Sequence, residues 1–145
     1  MESDCFRLIE ARHIGDVMPA WEPHFPQYDT VRGYSELGHV FLRNSETREY
    51  AVLHPYEARA QSYGRFIDID DFITDVLLDR VFMKYVLRPP HVAEIQQLLG
   101  PLEEREVYIA APYPFLGGSE EPDAYMKGDI WVFLDLVAQS LELST

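Results

Sequence analysis

The chain has 145 residues, of which 47% are hydrophobic, 13% aromatic and 26% charged, and its formal net charge is -13. This length suits one domain, and the apolar content excludes a disordered chain because it is sufficient to form a core. The negative charge argues against binding to nucleic acid or to an anionic membrane surface, since both would repel the protein.

The same sequence carries signs of its cellular setting. No apolar run approaches the roughly 20 residues needed to cross a bilayer, so we expect no membrane-spanning segment. The beginning of the chain, MESDCFRLIEARH, is too charged for a secretory signal. The single cysteine, Cys5, cannot form an internal disulfide. These features predict a cytoplasmic protein.

The first 34 residues are predicted to form a helix followed by a wrapping segment. Residues 2–18 place apolar side chains, such as Phe6 and Ile9, at spacings of three and four, and Pro19 ends the pattern. Residues 19–34 combine three prolines with four aromatic side chains, which would be exposed unless they pack on the core. An ordered loop over the core, rather than a linker, is therefore expected.

Residues 38–54 are predicted to form a β-hairpin. With a loop at 44–47, Arg43 would pair with Arg48. One face would then carry His39, Phe41, Tyr50, Val52 and His54, and the other Val40, Leu42, Ala51 and Leu53. Because both faces are largely apolar, the hairpin belongs in the middle of a domain. Residues 58–67 are expected to add a third antiparallel strand.

The remaining elements complete an α+β prediction. Apolar periodicity predicts helices near 69–87, 91–99 and 129–141, and a short apolar run predicts a strand near 106–111. We place that strand with the hairpin in one small antiparallel sheet, packed with the helices. The predicted architecture is a single domain over residues 1–145.

Two residue groups could suggest a metal site. Asp68, Asp70, Asp71 and Asp75 cluster as the carboxylate ligands of magnesium or calcium do, but the first three also suit the start of a helix, where they cap it. His39 and His54 share a face of the hairpin, but the spacing supplies no third ligand. No catalytic constellation is evident either. We expect no metal, no cofactor and no enzymatic activity.

The loop at 113–125 is the best candidate for binding another protein. It mixes aromatic side chains with acids between prolines and glycines, a combination suited to gripping a basic groove. The residues predicted to contact a partner are Tyr113, Phe115, Glu120, Glu121, Asp123 and Tyr125, with Asp68, Asp70 and Asp71 as a possible second part. The alternative is that Tyr113 and Phe115 fold inward as core.

A set of residues in the last third of the chain resembles a known C-terminal signature. The set comprises Tyr108, Pro112, Leu116, Gly117, Gly118, Lys127, Asp129, Val132, Leu134, Leu136, Ala138 and Gln139. Upstream, the runs 37–42, 53–55 and 99–102 agree in order. The pattern resembles bacterial type VI secretion immunity proteins, in particular those paired with secreted DNase effectors. It departs at Ile109, Ala110 and Phe133.

The resemblance implies a protein that binds a cognate secreted toxin one to one in the cytoplasm and neutralises it. An acidic inhibitor also suits toxins that act on nucleic acid or nucleotides, because their clefts attract negative charge. Two alternatives remain open. One is a metal-dependent hydrolase or nucleotide-binding protein using the carboxylates of residues 68–75, and the other is a regulatory protein-binding module unrelated to secretion.

Overall fold

The computed structural model describes residues 5–143. The strands are β1 (Phe6–His13), β2 (Thr30–Ser35), β3 (Val40–Arg43), β4 (Glu49–His54), β5 (Arg59–Arg65), β6 (Glu106–Ala110) and β7 (Tyr125–Asp129). The helices are α1 (Ile14–Val17), α2 (Ile69–Phe72), α3 (Arg80–Phe82), α4 (Pro89–Leu99) and α5 (Ile130–Ser140). The fold is α+β, as predicted.

Strands β1 to β5 form one antiparallel sheet in sequence order. The β3–β4 hairpin and the third strand β5 are confirmed. Alternate hairpin side chains enter two separate buried clusters, as the pattern predicts: Val40, Leu42, Ala51 and Leu53 on the first face, and Phe41, Tyr50 and Val52 on the second. The sheet is therefore covered on both sides.

Different parts of the chain cover the two faces. The first face packs against α5 and against the aromatic segment after α1, whose Trp21 and Tyr28 are buried. Trp21 Nε1 donates a hydrogen bond of 2.8 Å to the carbonyl of Leu134 in α5. The prediction of an ordered, wrapping segment is thus confirmed for these rings. The second face packs against α2, α3 and α4.

The prediction that the strand near 106–111 belongs to the same sheet as the hairpin is wrong. This strand, β6, pairs with β7 in a separate two-stranded sheet, and β7 occupies part of the predicted loop. Its side chains divide between the clusters, with Val107 and Ile109 on the first face and Tyr108 on the second. Because β6 contributes side chains to both clusters, it connects the two layers.

The predicted N-terminal helix is also wrong. Of residues 2–18, the first three lie outside the described residues, 6–13 form strand β1, and only α1 is helical. A neighbouring strand explains the difference, because β1 pairs with β2, with Phe6 opposite Ser35. Those ladder hydrogen bonds outweigh a weak local helical pattern.

The hairpin register differs from the prediction by two residues. Arg43 pairs with Tyr50, not with Arg48, which has a positive φ of 67° in the turn. The Asn44 side chain closes that turn by accepting hydrogen bonds from the backbone N–H groups of Glu46 and Thr47, each at 2.9 Å. A shift of two residues keeps every side chain on its predicted face.

The predicted helix near 69–87 is two helices separated by Asp79. Each continues into one π-helical turn, at Ile73–Leu77 and at Met83–Leu87. Asp79 Oδ2 accepts hydrogen bonds from the backbone N–H groups two and three residues later, of Val81 at 3.0 Å and Phe82 at 3.1 Å. This side-chain cap starts a new helix and ends the periodic pattern. The helices near 91–99 and 129–141 are confirmed as α4 and α5.

Two glycines with the same backbone conformation allow a controlled test of packing. Gly38 has a φ of 96°, and a Cβ there would lie 2.6 Å from Phe133 Cε2; Gly64 has a φ of 97° with open space around it. Alanine should cost about 1 to 2 kcal/mol of strain at either position. Only Gly38→Ala must also displace the Phe133 ring, at about 1 to 3 kcal/mol.

We therefore expect Gly38→Ala to lower the free energy of unfolding by more than Gly64→Ala, by about 1 to 3 kcal/mol. Denaturant unfolding of the two variants beside the parent protein measures this difference. Equal losses would show that Phe133 does not pack tightly on this turn.

Candidate functional site

The β6–β7 loop carries most of the predicted partner-binding residues. Its turn is held by a hydrogen bond of 3.0 Å from the Gly118 N–H to the carbonyl of Tyr113. A Cβ at Gly118 would lie 1.8 Å from the Pro112 carbonyl oxygen, so only glycine fits. The loop therefore has a defined shape, which suits a recognition surface.

The two predicted aromatic anchors are partly buried against the first face. The ring centroids of Tyr113 and Phe115 lie 5.8 and 5.9 Å from that of Tyr56, and Tyr113 lies 6.0 Å from Phe133. Burial raises the pKa of the Tyr113 hydroxyl, so the phenol stays neutral. Both rings are thus half-buried, packed against the first cluster without belonging to its fully buried part.

The acids of the loop divide into paired and free groups. Glu120 Oε1 accepts a hydrogen bond of 3.0 Å from Arg88 Nη1. Glu121 and Asp123 are exposed, and neither has an ion-pair partner among residues 5–143. The Tyr125 hydroxyl lies 3.0 Å from His91 Nε2. Burial and the nearby Glu120 carboxylate raise the pKa of Tyr125 to about 12.

The aspartates at 68–71 form a separate surface. Asp68, Asp70 and Asp71 are exposed at the start of α2, on the second face, whereas Tyr113 and Phe115 pack on the first. Asp68 Oδ1 accepts a hydrogen bond of 3.0 Å from the Asp71 N–H, which caps the helix. The structure therefore does not join these aspartates to the loop.

Beside the loop lies an exposed apolar patch that our reading of the sequence missed. Four side chains form it: Leu116 (58% exposed), Met126 (51%), Val132 (57%) and Leu136 (46%). They border a hollow of about 330 Å³ whose floor includes Ile109 and Phe133. We call these four residues the apolar patch.

A signal for this patch was present in α5. The helix buries Ile130, Phe133, Leu134, Val137 and Ala138, yet it also carries Val132 and Leu136 one turn apart on the other side. The exposed side of a surface helix is usually polar, so two large apolar side chains there are a sign of a second contact surface. Large exposed apolar groups that cluster mark interaction sites.

Two acidic residues lie next to the apolar patch. Asp129 lines the hollow and Asp135 is exposed on α5 beside Leu136. Residues 106–145 contain seven acids and one lysine, a net charge of -6 out of the total of -13. An apolar centre with a charged rim is the usual anatomy of a protein interface.

His39 and His54 do approach each other, as the hairpin pattern predicted. Their ring centroids lie 5.0 Å apart in an edge-to-face arrangement. Within residues 5–143, no group of three or more His, Cys, Asp or Glu side chains is arranged to hold a metal ion. Burial, the neighbouring His54 and the Arg88 guanidinium lower the pKa of His39 to about 3, so its ring is neutral at pH 7.

The fold is similar to that of a protein of known structure. In the crystal structure of Atu4351 from Agrobacterium tumefaciens, the matching region is 15% identical, with a TM-score of 0.63; it covers 94% of this chain and 67% of that one. At this identity the likeness shows a shared fold alone. No family model and no curated protein sequence matches the chain. Among residues 5–143, no helix is long and apolar enough to cross a membrane.

The depressed pKa of His39 predicts how stability depends on pH. Between about pH 6.5 and about pH 3, the unfolded chain binds a proton at this ring and the folded chain does not. Stability therefore falls as the pH falls through this window. We expect His39→Gln to flatten the decline, which denaturant unfolding at pH 7, 6, 5 and 4 measures. Parallel stability curves for the variant and the parent would contradict the assignment.

Proposed function

We propose that this protein is an immunity protein that binds a cognate secreted toxin one to one and neutralises it by direct contact. The observation that carries the proposal is the exposed apolar patch in the most acidic part of the chain. A monomer gains nothing from exposing four large apolar side chains together, whereas a partner that covers them would bind through the hydrophobic effect.

The charge around the patch indicates the chemistry of the partner. Three exposed acids favour a basic protein surface: Asp135 on α5, and Glu121 and Asp123 of the loop, which have no ion-pair partner among residues 5–143. Asp129, at the hollow, already lies 3.6 Å from Arg105 Nε. Toxins that act on nucleic acid or nucleotides need a positive cleft to attract their substrates. An acidic inhibitor that occupies such a cleft competes with the substrate for the same field. The sequence resemblance to immunity proteins of DNase effectors supports the same kind of partner.

The other candidate functions have less support. Asp68 accepts a hydrogen bond from the helix that it caps, and the exposed carboxylates at 70 and 71 belong to the same helix start. This geometry gives no particular support to a hydrolase at residues 68–75. The neighbouring gene distinguishes an immunity protein from a regulator unrelated to secretion, because only an immunity protein is expected beside a toxin gene.

The decisive experiment is expression beside the adjacent gene in a naive bacterium. If that gene encodes a toxin, we expect killing when it is expressed alone, rescue by this protein, and a co-purified pair. A harmless neighbour, or rescue without a complex, would remove the proposal of neutralisation by contact.

Two valines of similar exposure test the apolar patch. Val132 (57% exposed) belongs to the patch, and Val81 (64% exposed) lies on α3, which covers the second face. We expect Val132→Asp to weaken toxin binding about 10- to 100-fold, because a carboxylate would be buried in an apolar contact. Val81→Asp should leave the affinity within about twofold. Calorimetric titration with the toxin measures both, and equal effects would place the interface elsewhere.

The acidic rim makes a kinetic prediction. Raising NaCl from 50 to 500 mM should slow association more than it speeds dissociation, because salt screens long-range steering but changes short contacts little. Surface plasmon resonance with the immobilised toxin separates the two rates. An association rate that does not depend on salt would contradict the electrostatic part of the proposal.

A further inference from the structure

A second pocket, of about 520 Å³, lies between the end of β4, the start of β5, the segment before α4 and the β6–β7 loop. Polar side chains from these separate parts of the chain converge on it: His39, His54, Arg59, Arg88, Glu120 and Tyr125. Within the described residues, its lining shares no residue with the hollow at the apolar patch. The two cavities are therefore separate candidate sites.

The hydrogen bonds of Ser35 determine which nitrogen of His39 carries the proton. The buried Ser35 Oγ accepts hydrogen bonds from the backbone N–H groups of Leu37 at 3.3 Å and His39 at 2.9 Å. Both lone pairs of the hydroxyl are then occupied, so its own hydrogen is donated to His39 Nδ1, 2.8 Å away. The neutral ring must therefore carry its proton on Nε2, as a donor that has no acceptor among residues 5–143.

Two arginines act on the histidine rings of this pocket, although the protein as a whole is acidic. Burial, His54 and Arg88, in that order, lower the pKa of His39, and burial followed by Arg59 lowers the pKa of His54 against the opposing effect of Glu57. Glu57 and Glu120 also line the pocket, and each lies beside one of the arginines. The two guanidinium groups are therefore the charged groups of the pocket that favour an anion.

Both arginines retain donors for a ligand. Arg88 donates through Nη1 to Glu120 Oε1 at 3.0 Å. Arg59 donates through Nη1 to Gln61 Oε1 at 3.0 Å, and its Nη2 lies 3.5 Å from Glu57 Oε2. A guanidinium group has five N–H donors, so these contacts orient each side chain and leave further donors available. The two arginine side chains are thus held in place, but they still have N–H groups that can donate hydrogen bonds to a ligand.

Backbone strain also occurs at this pocket. Arg88 has φ 52° and ψ 61°, a left-handed conformation that is rare for residues other than glycine, and Ala58, between two lining residues, has φ 51° and ψ 42°. Non-glycine residues in such conformations cluster at ligand sites, where the strain serves to position side chains. Here Arg88 itself lines the cavity, and Ala58 directly precedes Arg59, which also lines it.

We propose that this pocket binds a small organic molecule through its carboxylate or phosphate group, which accepts hydrogen bonds from His39 Nε2–H and from the guanidinium groups of Arg59 and Arg88. The volume exceeds what a lone oxyanion fills, and Leu37, Tyr56 and Val86 supply apolar lining for the rest of the ligand. This inference is independent of the toxin.

Three matched probes test the proposal: phenyl phosphate, benzoate and the neutral benzamide, each titrated at constant ionic strength. Histidine side-chain NMR signals report binding, and long-range nitrogen correlations first check the Nε2–H tautomer of His39. We expect saturable shifts of the His39 and His54 signals with one or both anions, at least about tenfold tighter than with benzamide. The tighter anion identifies the head group. Bound anion should also raise the titration midpoints of both rings.

Substitutions separate a built site from general charge effects. Arg88→Gln and Arg59→Gln should each weaken anion binding at least about fivefold, since each removes charge-assisted hydrogen bonds. Arg65→Gln, at an exposed arginine at the other end of β5, should leave it within about twofold. If Arg88→Gln unfolds the protein, Arg59→Gln decides. Equal loss in the Arg65 variant, equal binding of benzamide, or shifts that never saturate would overturn the proposal.

Discussion

The structure depends on a hairpin that is apolar on both faces. Strands β3 and β4 place Val40, Leu42 and Ala51 in one buried cluster and Phe41 and Val52 in the other, so neither face can be left to water. A sheet of this kind must lie between two covering layers. The need for two layers explains why helices lie on both sides of the sheet in so short a chain. It also explains why β6 contributes side chains to both clusters.

The same constraint accounts for the candidate interface. Covering the first face requires α5 to bury five side chains, and the β6–β7 sheet with its rigid loop closes the side of that layer. Val132 and Leu136 contribute less to this cover, because about half of each side chain remains exposed. Apolar side chains that are not needed for folding, placed where the chain is most acidic, are consistent with an interface shaped by a partner rather than by the core.

The histidine pocket shows how a strongly acidic protein can place two arginines at one small cavity. Net charge acts over long distances and is screened by salt, whereas the pKa of a partly buried ring responds to burial and to the groups within a few ångströms. Besides burial, those groups are His54 and Arg88 at His39, and Arg59 and the opposing Glu57 at His54. Steering of a basic partner and binding of a small anion can therefore coexist on one molecule, since the two effects operate on different length scales.

Local pattern was enough to determine the α+β class, the hairpin with its two apolar faces, the third strand, and the helices at 91–99 and 129–141. These features depend on periodicity and on nearby caps such as Asp129, whose carboxylate accepts hydrogen bonds from the N–H groups of Trp131 and Val132. The proximity of the two histidines followed from the period of two along a strand.

Only the tertiary structure decided which segments pair with which. Residues 6–13 form a strand because β2 lies alongside them, and β6 lies outside the central sheet because it pairs with β7. The acids and aromatic residues of 113–125 were likewise evident from the sequence. In the folded chain, however, Tyr113 packs against Phe133, and Met126 and Val132 line the same hollow. Such outcomes are set by hydrogen bonds and contacts between residues far apart in the chain, and local periodicity contains no information about them.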